Sequence, residues 1–286
     1  MSGIKPLQGG LSLGKTVQYI STYTPSLLCS LARSDGRALL GIENNTLPFD
    51  GVDIWTAYEL SWLDLKGKPV VAYGIFAFPC QSIGLIESKS LKLYLNSFNQ
   101  TSFSSLDDVK STLLKDLSSA AQGNVQIDLF PAASFANPER FMGNLPGVCI
   151  DGLPVTISQY QVDPELLSLD TARTSAPKIA VQESVYSHLL KSNCPVTGQP
   201  DWASISIRYQ GPKINHESLL KYICSYRQQA DFHEQCVERI FCDLLDRCQC
   251  EKLTIEARYQ RRGGLDINPF RSNCAEQPLA VRLLRQ

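Results

Sequence analysis

The sequence predicts an α+β fold built from two similar modules, each with the element order strand–strand–helix–helix–strand–strand. Residues 90–98 match residues 218–226 at an offset of 128 (218 minus 90), and both segments place apolar residues at helical spacing. A second helical pattern follows each of them, and the alternation typical of a strand comes next. Because order and offset are kept over four elements, we interpret the match as an internal repeat.

In the first module, alternating apolar segments flank Lys66-Gly67-Lys68-Pro69, a sequence typical of a hairpin turn. An apolar run at 83–86 predicts a further short strand before the first helix. We expect strands at 54–65, 70–78 and 125–129 and helices at 90–98 and 109–117.

In the second module the sequence signal for the first strand is weak. Residues 181–191 predict a short helix that leads into a cysteine-containing loop. Residues 155–160 are strand-like, and the first forty or so residues of the chain predict irregular structure. The further elements expected are strands at 203–210 and 253–260 and helices at 218–226 and 236–244. The predicted domains are residues 1–150 for the first module, 151–175 for the connection and 176–286 for the second.

Composition narrows the functional class. Of 286 residues, 43% are hydrophobic and 19% charged, and the net charge of -1 argues against a general nucleic-acid or membrane-surface binder. Residues 1–14 lack the apolar segment of a signal peptide and no apolar run reaches 18 residues, so we expect a cytoplasmic protein without a membrane partner. Ten cysteines then predict reduced thiols, and with three histidines and no CxxC spacing we expect no metal site.

Cys194 is the first candidate catalytic residue. It lies in a polar segment with Pro195, Gly198 and Pro200, where a loop is expected at the surface. A thiol is a strong nucleophile at neutral pH, and Asp201, seven residues later, can transfer the proton that such chemistry needs. The competing interpretation is a small buried hydrophobic residue, which we prefer for the other nine cysteines.

Glu87-Ser88-Lys89-Ser90 stands where a strand passes into the first helix. The N–H groups of a helix N-terminus attract an anion, and Lys89 adds positive charge. The competing interpretation is simple N-capping of the helix by Ser88.

Two further motifs occupy the ends of elements in the second module. His233 and Glu234 begin a helix, and Glu234 either complements the helix dipole or, like Glu87, accepts paired N–H groups from a purine-like edge. Arg262 and Gly263, within Arg-Arg-Gly-Gly, offer either a phosphate site or a basic hairpin turn.

Together these motifs resemble the NADPH-dependent 7-cyano-7-deazaguanine reductases, the nitrile reductases of queuosine biosynthesis, in their long two-module branch. The resemblance spans the chain and implies tandem tunnelling-fold (T-fold) modules, each an antiparallel sheet with helices on one face, in a homodimer. The matching blocks are residues 87–94, 192–195, 199–202, 232–234 and 261–266.

The resemblance also implies roles for the residues. Cys194 adds to the nitrile of 7-cyano-7-deazaguanine to form a thioimide, Asp201 supplies a proton, and His233 assists. The implied substrate contacts are Ile86, Glu87, Ser88, His233 and Glu234. The implied NADPH contacts are Ser88, Lys89, Arg262 and Gly263; no G-x-G-x-x-G follows a strand here, so NADPH is expected from the resemblance alone.

Three other functions were weighed. A cysteine-dependent hydrolase of a purine-like substrate would use the same nucleophile with water in place of hydride. A zinc-dependent cyclohydrolase of the same fold would need Cys and His ligands, for which the sequence has no convincing cluster. A purine-binding module would keep Glu87 and Glu234 but would have no use for Cys194 with Asp201.

Overall fold

The chain folds into an α+β structure, as the repeat predicts. The structure, a computed structural model, describes residues 6–8, 19–43, 46–134, 142–170 and 180–286. It has two compact units whose sequences interleave. Unit 1 comprises Met1–Thr46, Val52–Glu139 and Arg261–Ile267, and unit 2 comprises Leu47–Gly51, Arg140–Gln260 and Asn268–Gln286. The domain limits at 150 and 176 stay a prediction.

Unit 1 is built around an antiparallel sheet and two helices. Its elements are β1 (Pro6–Gln8), β2 (Ser30–Ala32), α1 (Arg33–Ala38), β3 (Asp50–Leu63), β4 (Pro69–Pro79), β5 (Gly84–Ile86), α2 (Ser88–Asn96), α3 (Leu106–Ala121) and β6 (Gln126–Pro131), of which the first two residues of β3 belong to unit 2. Strand β4 pairs with β3 and with β6, and β2 pairs with β1 and with β5, all antiparallel. The predicted hairpin turn lies between β3 and β4, with Gly67 at a positive φ of 79°.

The core of unit 1 joins the sheet to both helices. Trp55 and Phe76 from the strands pack in one buried cluster with Leu91 of α2 and Leu113 of α3. Full burial of each such side chain contributes roughly 1.5–3 kcal/mol to folding. The periodicity that predicted these helices therefore corresponds to their buried faces.

Unit 2 repeats this plan. Its elements are β7 (Val148–Cys149), β8 (Val181–Asn193), β9 (Pro200–Gly211), α4 (His216–Ser225), α5 (His233–Cys248), β10 (Lys252–Tyr259) and β11 (Leu265–Ser272), of which the first three residues of β11 belong to unit 1. Strands β8, β9, β10 and β11 pair antiparallel in that order, and β7 adds to β8 in parallel. The predicted helix pair is confirmed as α4 and α5.

The prediction of a helix at 181–191 is wrong, because these residues form most of strand β8. The strand contains a β-bulge between Ser187 and Leu190, where the register with β9 shifts. The buried residues are Val185 and Ser187 before the bulge and Leu190 after it, so the two-residue alternation is broken and imitates helical spacing. The strand-like segment 155–160 is also irregular in the structure, and the N-terminal region expected to be irregular contains β2 and α1.

Two whole-chain expectations can be compared with the described residues. No helix among them is long and apolar enough to cross a membrane. All ten cysteines lie in the described part of the chain, and each is a free thiol.

Candidate active site

The β8–β9 hairpin carries Cys194 at its turn. Strand pairing ends at Asn193 opposite Pro200, and the loop between them is closed by two backbone hydrogen bonds. Cys194 N donates to Gln199 O over 2.8 Å, and Gly198 N donates to Cys194 O over 2.9 Å. These bonds fix the backbone on both sides of the thiol, whose residue is 9% exposed. Cys194 is thus held in a defined turn and is buried, whereas the sequence predicted a loop at the surface.

Asp201 and His233 lie close together near this loop. Asp201 lies opposite Ser192 in the β8–β9 register. Ser192 precedes Cys194 by two residues, a distance of roughly 7 Å along a strand. His233 begins α5, and its Nε2 lies 3.3 Å from Asp201 Oδ2. The Asp201 carboxylate is only 4% exposed, so its proton exchange occurs in a sheltered setting. The structure therefore brings together carboxylate, imidazole and the hairpin that bears the thiol.

His233 is held by an aromatic ring that sequence reasoning missed. Its ring stacks on Tyr259 with centroids 3.8 Å apart and an interplanar angle of 16°. Tyr259 is fully buried in β10, and burial raises its pKa well above the usual value. Among the described residues the buried Nδ1 of His233 has no hydrogen-bond partner, so this nitrogen is a candidate contact for a ligand.

Lys191 is a second neighbour that the sequence analysis missed, because its segment was interpreted as a helix. Its Nζ donates to Asn193 Oδ1 over 2.6 Å and to the backbone oxygen of Arg227 over 2.7 Å. Burial, followed by the charge of Arg227, lowers the pKa of Lys191, whereas the charge of Asp201 acts in the opposite direction. Lys191 is therefore part of the electrostatic surroundings of Asp201.

In unit 1, Glu87 joins β5 to α2 and is the N-cap of that helix. Its two carboxylate oxygens accept hydrogen bonds from Lys89 N over 2.7 Å and from Ser90 N over 2.9 Å. The alternative prediction that Ser88 caps the helix is wrong. The Glu87 carboxylate is buried. The pKa of the nearby Cys29 thiol is raised to about 11, first by burial of the thiol and second by the negative charge of Glu87.

This cap changes the expected anion site at the start of α2. Two of the N–H groups offered by the helix N-terminus already donate to Glu87. The predicted anion contacts at this helix start are the side chains of Ser88 and Lys89. Both residues are half-buried, and Ile86 directly before them is buried.

Arg262 and Gly263 lie in a tight hairpin turn that packs beside α2. Arg262 and Leu265 exchange both backbone hydrogen bonds, and the two glycines between them have φ of 58° and 80°. These values match a type I′ turn, which favours glycine at both positions. A Cβ on Gly263 would lie 3.1 Å from the side chain of Lys92, one helical turn after Lys89. The turn therefore adds Lys92, which the sequence analysis did not single out, to the predicted cations Lys89 and Arg262.

The structure thus assembles the predicted site residues in two groups. Unit 2 holds Cys194, Asp201 and His233, with buried Glu234 next in α5. Unit 1 holds the other predicted residues, namely Ile86, Glu87, Ser88, Lys89, Arg262 and Gly263. Their roles toward substrate and cofactor stay predictions.

Comparisons of the family regions and of the whole sequence agree on one class. Residues 19–129 match the family described as "Nitrile reductase, 7-cyano-7-deazaguanine-reductase N-term", and residues 200–278 match that of a "QueF-like protein". The chain is 53% identical over 281 residues to an NADPH-dependent 7-cyano-7-deazaguanine reductase of Colwellia psychrerythraea, covering 96% of each chain. A crystal structure of the archaeosine synthase QueF-Like in the apo form has 17% identity and a TM-score of 0.30, and it covers 36% of this chain and 99% of that one.

These matches define the class first: an α+β protein of the nitrile reductase type, with both of its family regions present in one chain. The identity to the full-length relative then settles the family. The chain belongs to the NADPH-dependent 7-cyano-7-deazaguanine reductases.

Proposed function

We propose that this protein reduces the nitrile of 7-cyano-7-deazaguanine to the primary amine of 7-aminomethyl-7-deazaguanine, with two NADPH consumed per nitrile. The observation that carries the proposal is the Asp201–His233 pair, 3.3 Å apart, beside the hairpin that presents the Cys194 thiol. The relative at 53% identity, an NADPH-dependent 7-cyano-7-deazaguanine reductase, supports the same reaction.

The first step forms a covalent bond to the protein. The Cys194 sulfur adds to the nitrile carbon, the thiol proton leaves, and the nitrogen gains a proton, so that the C≡N bond becomes the C=N bond of a thioimide. Asp201 is assigned as the group that delivers this proton, because it lies in β9, which pairs with the strand β8 that leads to Cys194. His233 Nε2 lies 3.3 Å from Asp201 Oδ2, and His233 passes protons to Asp201.

Two reductions then convert the thioimide to the amine. NADPH supplies one hydride to each of two successive C=N bonds, that of the thioimide and that of the later imine. Between them, the C–S bond breaks, Cys194 leaves as a thiolate and the imine forms. Each hydride is matched by one proton, for which Asp201 and His233 are the groups at hand. In total the nitrile gains two hydrides, which carry the four electrons, and two protons.

The purine-like edge of the substrate is assigned to two buried carboxylates. Glu87 and Glu234 are 1% and 3% exposed, so a ligand bonded to them is shielded from water. The two oxygens of Glu87 accept the backbone hydrogen bonds of Lys89 and Ser90, so the proposed substrate contact is assigned to a carboxylate that also caps α2. The other proposed substrate contacts are Ile86 and Ser88 in unit 1 and His233 in unit 2.

The phosphates of NADPH are assigned to the cations of unit 1. Lys89 and Lys92 lie one turn apart on α2, and the turn at Gly263 brings Arg262 to the same helix. Ammonium and guanidinium groups bind phosphate, and glycines with positive φ allow the backbone of the turn to approach a ligand closely. Ser88 supplies a hydroxyl at the start of the same helix.

We also propose the setting in which the enzyme acts. It works in the cytoplasm as a homodimer, in the branch of metabolism that prepares queuosine for tRNA, and it handles the free deazapurine without contacting nucleic acid. The net charge of -1 is consistent with a small-molecule substrate. Light scattering of the purified chain tests the dimer, since a monomeric mass would contradict it.

The decisive experiment is intact-protein mass spectrometry after mixing with 7-cyano-7-deazaguanine without NADPH. A gain of one substrate mass, absent in Cys194→Ala, supports the thioimide. Added NADPH should then remove the adduct and be oxidised in a ratio of two per amine formed. Release of ammonia without NADPH oxidation would instead indicate a cysteine hydrolase, and a bound but unmodified nitrile would exclude covalent catalysis.

A further inference from the structure

We propose that unit 2 contains a zinc-binding site formed by Cys149, Asp151 and His188. One donor atom from each of the three side chains lies within 4.8 Å of the other two. The proposal goes beyond the reductase function, which uses none of these residues.

The backbone brings the three residues together through the pairing of β7 with β8. Cys149 lies opposite Tyr186 in this parallel pair, and the backbone nitrogen of Ile150 donates to Tyr186 O over 3.0 Å. Asp151 follows directly. The β-bulge after Ser187 is where His188 stands, and bulges redirect side chains that a regular strand would place elsewhere.

Hydrogen bonds hold two of the proposed ligands in place. Asp151 Oδ1 accepts from Ser187 Oγ over 2.6 Å, and Oδ2 accepts from His188 N over 2.9 Å. His188 Nδ1 lies 2.7 Å from the buried Ser204 Oγ. With Nδ1–H donating to Ser204, Nε2 carries the lone pair, and we assign Nε2 to the metal. Such supporting bonds are typical of metal ligands in proteins.

The donor set favours zinc over magnesium or calcium. A thiolate and an imidazole are ligands of zinc and other late transition metals, whereas magnesium and calcium take oxygen donors. Donor atoms around a tetrahedral zinc ion are roughly 3.5 Å apart. The three donor atoms lie within 4.8 Å of one another, so small side-chain movements are enough to reach that spacing. Cys149 is exposed, so an ion can enter from solvent and a water can occupy the fourth position.

Such an ion would fasten the segment around β7, only two residues long, to strand β8. The sequence analysis expected no metal site because the ligands stand at 149, 151 and 188, in no familiar ligand motif. Only the pairing of β7 with β8 makes them neighbours.

The test is a zinc titration of the full chain, freed of metal by a chelator, in competition with a chromophoric zinc indicator. The expected result is one zinc per chain, with affinity at least tenfold weaker in Cys149→Ser and in His188→Gln. Ser204→Ala should weaken binding by about tenfold while leaving all three ligands present. Zinc should also raise the melting temperature of the unmodified chain but not of Cys149→Ser.

Two control variants separate this site from other thiols. Cys242→Ser removes a half-buried thiol outside the cluster, and Cys194→Ala removes the proposed nucleophile; both should keep full zinc binding. Cobalt bound in place of zinc should give a thiolate charge-transfer absorption that disappears with Cys149→Ser and persists with Cys194→Ala. The proposal is overturned if the unmodified chain binds no zinc, or if folded Cys149→Ser, checked by circular dichroism, binds it as tightly.

Discussion

His233 is held between the Tyr259 ring and the Asp201 carboxylate, and these contacts predict the effect of replacing Tyr259. Stacking on Tyr259 at 3.8 Å fixes the plane of the imidazole, while Asp201 contacts its Nε2. Tyr259→Leu removes the stacking, which is worth about 0.5–1.5 kcal/mol, and should lower kcat by up to about tenfold. Tyr259→Phe keeps the ring and should stay within about twofold in steady-state assays. Equal losses in both variants would show that the hydroxyl, not the stacking, matters.

Arg262 and Arg261 are adjacent residues with different expected roles. The Arg261 guanidinium lies 4.9 Å from the centre of the Tyr58 ring, a cation–π contact that occupies it within the fold. Arg262→Leu should raise KM for NADPH by about tenfold or more, because a charge-assisted phosphate contact is worth roughly 1.5–3 kcal/mol. KM for the deazaguanine should change much less, and Arg261→Leu should affect NADPH less than Arg262→Leu. A parallel loss of both ligands in Arg262→Leu would argue against the assignment.

At the scale of elements, the caps of α2 and α4 form a matched pair. Glu87 caps α2 with its side chain, and Asn215 caps α4 by accepting from Ser218 N over 2.9 Å. Replacing either by alanine should lower the free energy of unfolding by about 1 kcal/mol or more, measured by urea denaturation. Only Glu87→Ala should also raise KM for the deazaguanine, because Asn215 has no proposed substrate contact. If both variants bind substrate normally, Glu87 is a cap and nothing more.

Local patterns predicted most elements but not those that depend on remote partners. The turn at Gly67 and the four long helices were predictable, since their signals lie within a few residues. Strand β8 was mistaken for a helix because its bulge breaks the alternation, and the cap at Glu87 was missed because Glu is not among the preferred capping residues. The pairing of β7 with β8 has no local signature at all. For the site, sequence located Cys194 and its motifs, whereas the contributions of Tyr259, Lys191 and Lys92 required the tertiary structure.

For the molecule as a whole, buried thiols predict a loss of stability in alkali. Burial raises the pKa of Cys29 and Cys248 to about 11 and that of Cys236 and Cys250 to about 12. A thiol in the unfolded chain ionises near pH 8.5, so unfolding releases protons above that pH. The stabilisation is complete below about pH 8.5 and is lost as pH rises toward the folded values, at up to about 1.4 kcal/mol per thiol and pH unit.

Urea denaturation between about pH 8 and pH 9.5 measures this slope, below the range where tyrosines of an unfolded chain ionise. Cys248→Ala should reduce the slope by one thiol. A stability that is constant across this range would contradict the prediction.

The placement of Arg261–Ile267 in unit 1 has a consequence for how the chain folds during its synthesis on the ribosome. Leu265 and Ile267 belong to the core of unit 1, and Asp266 accepts a hydrogen bond from Tyr58, 208 positions earlier in the chain. At synthesis rates of 5–20 residues per second, Asp266 is added to the chain about 10–40 s after Tyr58. Throughout that interval the nascent N-terminal half displays an incomplete core with exposed apolar surface. Unit 1 therefore completes its core only after residues 261–267 have been synthesised.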